Sequence, residues 1–459
     1  MPSVVIVGAG VSGLSLAYRL GQIAPVLDIT LLESDSRAGG KVWTLREQGF
    51  TVEMGPNGFL DSKPTTLQLT RDLGLDSHLV PASDAAARKR FLFLNGRLSA
   101  LPSGLWSFLS SPLLSWRGKL SLFLERFRRK PIPDDESIAD FAARRTSREI
   151  ADTFADALVT GIYAGDTTRL SLPACFPRLA ALERQYGSVL KGLGAEARKR
   201  RQAARAEGKA PARPGKLWSL RQGLGALIEG LLAQVRRPPL LGVGVRRIAR
   251  EGSRWLVEGE GRERWDADVV VLACPAFQQA AILSDVDPAL AEEIGAIPYN
   301  RIAVVALGYR EADAPGLDGF GYIAPQRTGR DILGVQWCSS TYPGRAPAGT
   351  VLLRAMAGGW RRPEVAAWND ERLVASIRAE LRVAQGIEAA PVFQRIVRWD
   401  RAIPQYHVGH LARVARIERL AARHPGLFLG GNAYHGVALN DCTEQALLVA
   451  ERIRDVLKS

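Results

Sequence analysis

The stretch "SVVIVGAGVSGLSLAYRL" (3–20) decides the fold. An apolar run from Val4 to Val7 stops at glycine, and Gly8, Gly10 and Gly13 fall in a G-x-G-x-x-G frame. The run reads as a buried strand and Ser12 to Leu20 as the helix after it. "DITLL" (28–32) reads as the next strand, ending at Glu33, twenty residues past Gly13. Strand, glycine turn, helix, strand and acid make a βαβ dinucleotide-binding unit. Gly8 permits the tight turn, Gly10 lets the backbone approach a pyrophosphate, and Gly13 lets the helix lie close to its strand. Ala9, Val11 and Ser12 complete the phosphate-facing turn at a helix N-terminus, where free N–H groups and the dipole favour anions. Glu33, with Ser34 beside it, accepts from both ribose hydroxyls, which disfavours a 2′-phosphate and so NADP.

Outward from this seat, "SRAGGKV" (36–42) places Gly39 and Gly40 before the basic Lys41. The pair resembles the second glycine cluster of the amine-oxidase and phytoene-desaturase flavoprotein class. That resemblance implies FAD rather than NAD, with Lys41 standing where many members carry arginine. At the far end, "LFLGGNAYHGVALNDC" (427–442) resembles the C-terminal flavin motif of the same class. It reads as strand, glycines and a helix opening near Asn440 and Asp441, with Val437, Ala438 and Leu439 as flavin contacts. A helix N-terminus aimed at the flavin would stabilise the charge of its reduced form, and an ordinary N-cap is compatible with that role. Val245 in "GVGVRRI" matches the class's adenine-side backbone contact, or is an ordinary strand residue. No second G-x-G-x-x-G occurs, so no separate nicotinamide site is expected, and oxygen or a quinone is the expected acceptor.

The chain has 459 residues, 46% hydrophobic, enough for two or three domains with ample cores. Its four cysteines form no C-x-x-C pair, which argues against structural zinc, a redox disulfide or a stapled secreted fold; no metal is expected. The chain starts on its first strand without a charged n-region, so neither a cleaved signal peptide nor a membrane span is expected. The formal net charge of +14 is concentrated: residues 88–130 hold ten Lys or Arg against Glu125 alone, and 195–216 hold eight against Glu196 and Glu207. The rest is close to neutral.

From about Arg88 to Pro173 the pattern reads as helical. "KLWSLRQGLGALIEGLLAQV" (216–235) reads as a strand and a helix, while "RWLVEG" (254–259) and "DADVVVLACPA" (266–276) read as strands returning to the first domain. Residues 299–360 alternate as a separate sheet. The low-complexity segment 194–215 reads as a mobile loop or frayed helix.

Four stretches together, "VEMGPNGFLDSKPTT" (52–66), "LVTGIYAGDTTRLSLPACFPRL" (158–179), "RAIPQYHVGHL" (401–411) and "GNAYHGVALNDC" (431–442), are similar to the protoporphyrinogen oxidase family. They run in the family's order over nearly the whole chain. The resemblance implies six-electron oxidation of protoporphyrinogen IX to protoporphyrin IX in haem biosynthesis, with oxygen as acceptor and hydrogen peroxide as by-product. Hydride would leave a methylene bridge for the flavin, a step that asks for positioning more than for a strong base. Gly161 in "TGIYAG" matches the position whose backbone carbonyl takes the pyrrole N–H groups; read locally, it is a helix C-cap. Asn57 in "GPNG" matches a position where some relatives carry an arginine facing a propionate, and it supplies no charge. Gly55, Pro56 and Gly58 read as flavin-side backbone contacts. Pro404, Gln405 and Tyr406 shape the pocket floor or belong to the core.

"LPSGLWSFLSSPLLSWRGKLSLFLERFRRK" (101–130) mixes Leu, Phe and Trp with a basic tail. It reads as an interfacial region for an anionic bilayer or as a helical hairpin with its apolar face in the core. No nucleic-acid module appears. The nearest rival is a flavin amine oxidase, which usually carries a lysine near the flavin; this chain has none from Leu217 to Leu457. A carotenoid-type desaturase lacks "TGIYAG" and "IPQYHVGH". Coproporphyrinogen III, with two more propionates, would ask for a more cationic pocket than Asn57 offers, and a redox sensor would bind FAD without turnover.

The expected architecture is α/β. A discontinuous Rossmann-type FAD-binding domain (1–58, 217–284, 424–459) is joined by an α+β substrate-binding domain (59–88, 173–216, 285–423) and a helical membrane-docking domain (89–172). The expected partners are a porphyrinogen and an anionic membrane surface, with a homodimer left open. The expected location is cytoplasmic, at the inner face of the cell membrane.

Overall fold

The glycine turn is flanked by β1 (Ser3–Val7) and α1 (Val11–Ile23), and β2 (Asp28–Glu33) follows. The computed structural model describes residues 1–128, 131–206 and 215–458. Three later strands, β3 (Leu240–Leu241), β4 (Val269–Leu272) and β5 (Leu427–Leu429), complete an all-parallel sheet in the order β3-β2-β1-β4-β5. The uninterrupted apolar sequence of β1 and β4 has its physical reason here, because both faces of a parallel sheet are covered. Ile6, Val270 and Val271 are fully buried between two cores, one capped by α1 and the C-terminal helix. Chain start, middle and end therefore build one nucleotide-type sheet.

"RWLVEG" does not enter that sheet. It is the centre of an antiparallel meander, Val245–Glu251, Arg254–Gly259 and Arg264–Ala267, packed beside it.

Residues 299–360 do form strands of a second sheet, four of its seven. In this sheet Arg301–Arg310 pairs antiparallel with Thr350–Gly359 on one side and with the edge strand Phe393–Trp399 on the other. Its far edge corrects the helical reading of residues after Arg88: Phe91–Leu94 and Arg97–Ala100 form a hairpin that extends this sheet. The signal was present in "FLFLNGRLSA", where Asn95 and Gly96 adopt positive φ (52° and 76°) in a two-residue turn.

Beyond the hairpin the chain is helical. The helices include α2 (Asp156–Tyr163), Pro177–Tyr186 and Val189–Ala206. Buried ions tie this layer together: Arg144 binds Glu136 and Glu183, and Arg145 binds Glu125, whose other oxygen accepts from Ser188 Oγ at 2.5 Å. Of the low-complexity segment 194–215, the part up to Ala206 is helix, and 207–214 lie outside the described residues. The last helix, α3 (Leu439–Lys458), lies against α1 through the shared core.

Candidate functional site

The crevice is built at the carboxyl ends of β1 and β2. A Cβ on Gly13 would sit 1.9 Å from the Gly8 carbonyl oxygen, so only glycine lets α1 start this close to β1. Gly10 caps α1 without a side-chain bond, leaving the first-turn amides around Val11 and Ser12 facing the crevice. The second glycine cluster folds back onto the first: Gly39 N donates to Ala9 O (2.8 Å), and Gly10 and Gly39 bridge in parallel. Gly40 lies against Gly10.

Glu33 Oε2 accepts from Ala9 N (2.8 Å) and Oε1 from Asp35 N (3.0 Å), with Ser34 Oγ at 3.4 Å. Each oxygen keeps a lone pair for a further donor. Val243 N donates to Glu33 O (2.8 Å), which brings the chain just before Val245 to the acid end of the crevice.

Lys41 lies at the other end, part-buried, with no ion pair among the described residues. Burial pushes its ammonium down to about 8. A lysine so placed asks for an anion. Its neighbour Cys442 in α3 also lies beside Ser12 of α1, so the two helix N-termini and Lys41 converge. Ala438 N donates to Asp441 Oδ2 (3.0 Å) while Ala438 O receives the amides of Asp441 and Cys442. This reciprocal cap starts α3 at Leu439, one residue before the expected opening.

Gly55 is pressed on Lys41, whose carbonyl oxygen a Cβ would meet at 1.8 Å. Arg354 donates to Glu53 O (2.7 Å) and Gly55 O (2.8 Å), and Trp399 Nε1 donates to Met54 O (2.8 Å). These bonds pin the start of the Gly55–Pro56–Asn57–Gly58 turn, and Asn57 Nδ2 is left buried with no hydrogen-bond partner among the described residues. The Lys41 ammonium, which lies over the Tyr299 ring at 5.8 Å, the orphaned amide, the glycine cradle and the lone pairs on Glu33 fit an extended dinucleotide diphosphate.

Gly161 does not cap its helix. It lies within α2, and the cap is Ala164, a non-glycine residue in the left-handed region (φ 44°, ψ 40°). Gly161 is exposed, as are Leu158 (44%) and Ile162 (42%), so α2 presents an apolar strip with one uncovered backbone position. The carbonyls of Tyr163, Ala164 and Gly165 each accept from a side chain, whereas no side chain among the described residues donates to that of Gly161. Gly161 does not touch the glycine crevice directly. Ala164 shares a core with Met54, and Tyr163 shares one with Val437.

Three groups escaped the sequence reading. Arg37, inside the quoted "SRAGGKV", donates to Gly40 O (2.7 Å) and stacks on Trp43. Arg354 and Asn300 carry no local signal, because their partners lie hundreds of residues away or across another domain. Tyr406 and Gln405 are fully buried, so the "IPQY" stretch belongs to the core.

The basic helical stretch has an inverted pattern. In helix Trp116–Phe123, Gly118, Lys119 and Ser121 face inward, with Lys119 Nζ bonded to Leu109 O (2.6 Å). Trp116 (71%), Leu120 and Phe123 face out, alongside Trp106 (84%) and Phe127 (66%). A groove of about 460 Å³ lined by Phe123, Tyr186, Leu190, Arg126, Lys191 and Arg198 opens beside them. No helix among the described residues is long and apolar enough to cross a membrane, and no metal-type cluster occurs among them.

The profile of the flavin containing amine oxidoreductase family matches residues 11–454. The chain is 29% identical to coproporphyrinogen III oxidase of Bacillus subtilis (strain 168) over 461 residues, 96% of each chain. It is 32% identical to protoporphyrinogen oxidase of Homo sapiens over 474 residues, again 96% of each. Protoporphyrinogen oxidase 1, chloroplastic, of Arabidopsis thaliana is 31% identical over 477 residues, 99% of this chain and 88% of that one. A solved chain from Exiguobacterium sp. 255-15 superposes with a TM-score of 0.85 at 28% identity, covering 100% of this chain and 99% of that one. The α/β class with a Rossmann-type nucleotide domain read from the sequence holds, and this chain belongs to the flavin containing amine oxidoreductase family.

Proposed function

We propose that the chain binds FAD along the glycine crevice and oxidises a porphyrinogen, protoporphyrinogen IX in the first instance, to its porphyrin. Bound there, FAD supplies a two-electron acceptor that oxygen regenerates. The balance is six hydrogens removed from the porphyrinogen and three molecules of oxygen reduced to hydrogen peroxide.

The observation that carries the reading is the uncovered Gly161 on the apolar face of α2. A porphyrinogen is a broad apolar ring with inward pyrrole N–H donors, and a backbone carbonyl standing free on an apolar face can accept them. The chain's own task is then orientation: α2 supports the ring and the pinned Gly55–Gly58 turn closes the crevice against water. Gly8, Ala9, Gly10, Val11, Ser12, Gly13, Gly39, Gly40 and Lys41 take the diphosphate, Glu33 and Ser34 the ribose, and Val245 the adenine side. Gly55, Pro56, Asn57, Gly58, Val437, Ala438 and Leu439 line the flavin end.

Neutral Asn57 favours protoporphyrinogen. The bacterial relatives named coproporphyrinogen III oxidase favour the tetracarboxylate as the second reading. Parallel assays with the two porphyrinogens, following porphyrin fluorescence and peroxide together, decide between them: faster turnover of coproporphyrinogen overturns the first choice, and no turnover of either overturns the function. Gly161→Val should abolish turnover with flavin retained, because its Cβ would press only on the movable Ile323 Cδ1 at 2.9 Å; a fully active variant removes Gly161 from the site.

The three-part division of the chain belongs to this proposal, with residues 91–100 assigned to the substrate sheet. The outward Trp106, Trp116, Leu120 and Phe127 beside Arg126, Lys191 and Arg198 support peripheral docking on an anionic bilayer. Such docking suits a substrate that partitions into lipid, and it places the protein at the inner face of the cell membrane.

A further inference from the structure

The sequence stretch that the function leaves unused, "AIPQY" (402–406), touches two parts of the site at once. Asn300 Nδ2 donates to Tyr163 O (2.8 Å) and Ala164 O (3.1 Å), and its Oδ1 accepts from Ile403 N (2.9 Å). Gln405 Nε2 donates to the same Tyr163 O (3.0 Å) and to Ile403 O (3.1 Å). The end of α2 thus hangs on two buried carboxamides. One residue on, Tyr406 OH donates to Asn432 O (2.6 Å) and accepts from Gly436 N (3.0 Å), within the loop that leads to Val437 and α3. Its ring lies 6.0 Å from that of Tyr163 and stacks on His410 at 4.0 Å. Burial pushes His410 down to about 4, so the stacked imidazole is neutral and adds no charge to the bridge.

Two features indicate that this arrangement is held under constraint. Ala164 keeps a left-handed conformation that is unfavourable for a residue with a Cβ, and Asn300 together with Trp360 N (2.8 Å) fixes its carbonyl. Gly165 leaves the space in which Gln405 Oε1 sits, since a Cβ there would lie 2.5 Å from that oxygen. Gln405 Oε1 itself has no hydrogen-bond partner among the described residues, so Gln405 is held for its donor.

We propose that Asn300, Gln405 and Tyr406 are positioning residues, a side-chain clamp that sets the Gly161 end of α2 at a fixed distance from the loop entering α3. The proposal rests on the reading of Gly161 given above. With the clamp intact, the ring carried on α2 meets the flavin end of the crevice in one register; a displacement of about 1 Å at such a site costs on the order of 10²-fold in rate.

The test uses the FAD-loaded full chain and the variants Gln405→Leu, Tyr406→Phe and Gly165→Ala. Steady-state oxidation of the preferred porphyrinogen and amide hydrogen exchange are measured on each. The expected result is a kcat lower by about 10²-fold with KM within about twofold and flavin content unchanged. Exchange should rise at least about tenfold in 161–165 for Gln405→Leu and Gly165→Ala, and in 432–438 for Tyr406→Phe. If Gln405→Leu does not fold, Tyr406→Phe, which loses one hydroxyl, carries the test. Parent-like kcat in the variants, with or without faster exchange, overturns the proposal alone. A parent enzyme that oxidises no porphyrinogen overturns the oxidation reading and this proposal together.

Discussion

Lys41 offers the sharpest quantitative handle on the crevice. Its ammonium is part-buried beside Cys442 and the two helix N-termini, and desolvation pushes it down to about 8. At pH 7 about nine-tenths of such a group is protonated, and at pH 9.5 only about 3%. A diphosphate bound against it restores a pKa of about 10.4, the ordinary lysine value. Linkage then weakens FAD binding about 30-fold between pH 7 and pH 9.5, with most of the loss above pH 8. The flavin-free chain behaves with the opposite sign. A lysine whose folded pKa lies below its unfolded one opposes folding while charged, so apo stability rises with pH through about 8 towards about 10.4. The assay is equilibrium titration of the deflavinated chain with FAD by fluorescence, at constant ionic strength across that range. Lys41→Arg should bind well at pH 7 and lose the pH dependence, and Lys41→Met should bind weakly and evenly. A parent Kd that stays flat from pH 7 to pH 9.5 refutes the contact.

Other expectations are equally direct. Gly13→Ala forces a Cβ to within 1.9 Å of the Gly8 oxygen, so α1 must shift; apo stability should fall by about 1–3 kcal/mol and FAD affinity should collapse, by chemical unfolding and by titration. Glu125→Ala removes the nearer of two carboxylates on buried Arg145, leaving Glu183 Oε1 at 3.4 Å, and should cost about 1–3 kcal/mol in unfolding free energy, whereas a loss under about 0.5 kcal/mol would mean that the ion network is idle. Replacing Trp106, Trp116 and Phe127 together by Ser should leave solution turnover intact and abolish flotation with anionic liposomes. Retained flotation would remove this face from the docking surface.

The parts of this molecule that announce themselves in sequence are those whose chemistry is local. The first seat is a contiguous turn whose glycines, strand and acid keep fixed spacings, and β1 with β4 declare their burial by unbroken apolar runs. The β-hairpin at 91–100 was equally legible through Asn95-Gly96, but its flanking Leu and Phe residues also suit a helix, and the turn signal has to be weighed first. Lys119 misleads for a different reason: on an amphipathic helix a lysine ordinarily marks the wet face, and here it points inward to the Leu109 carbonyl. Asn300 and Arg354 could not be found at all, because a side chain that satisfies a distant backbone carbonyl leaves no periodic trace. Gly161 invites a C-cap reading because glycine usually ends helices, yet Ala164 takes that conformation under restraint from Asn300.

The most direct test of the account is anaerobic mixing of the FAD-loaded chain with protoporphyrinogen IX while visible absorbance is recorded. The account predicts a yellow protein whose oxidised-flavin bands bleach as porphyrin bands grow, and whose colour returns on admitting oxygen. A preparation that takes up no FAD, or one that stays yellow in the presence of both porphyrinogens, would contradict it.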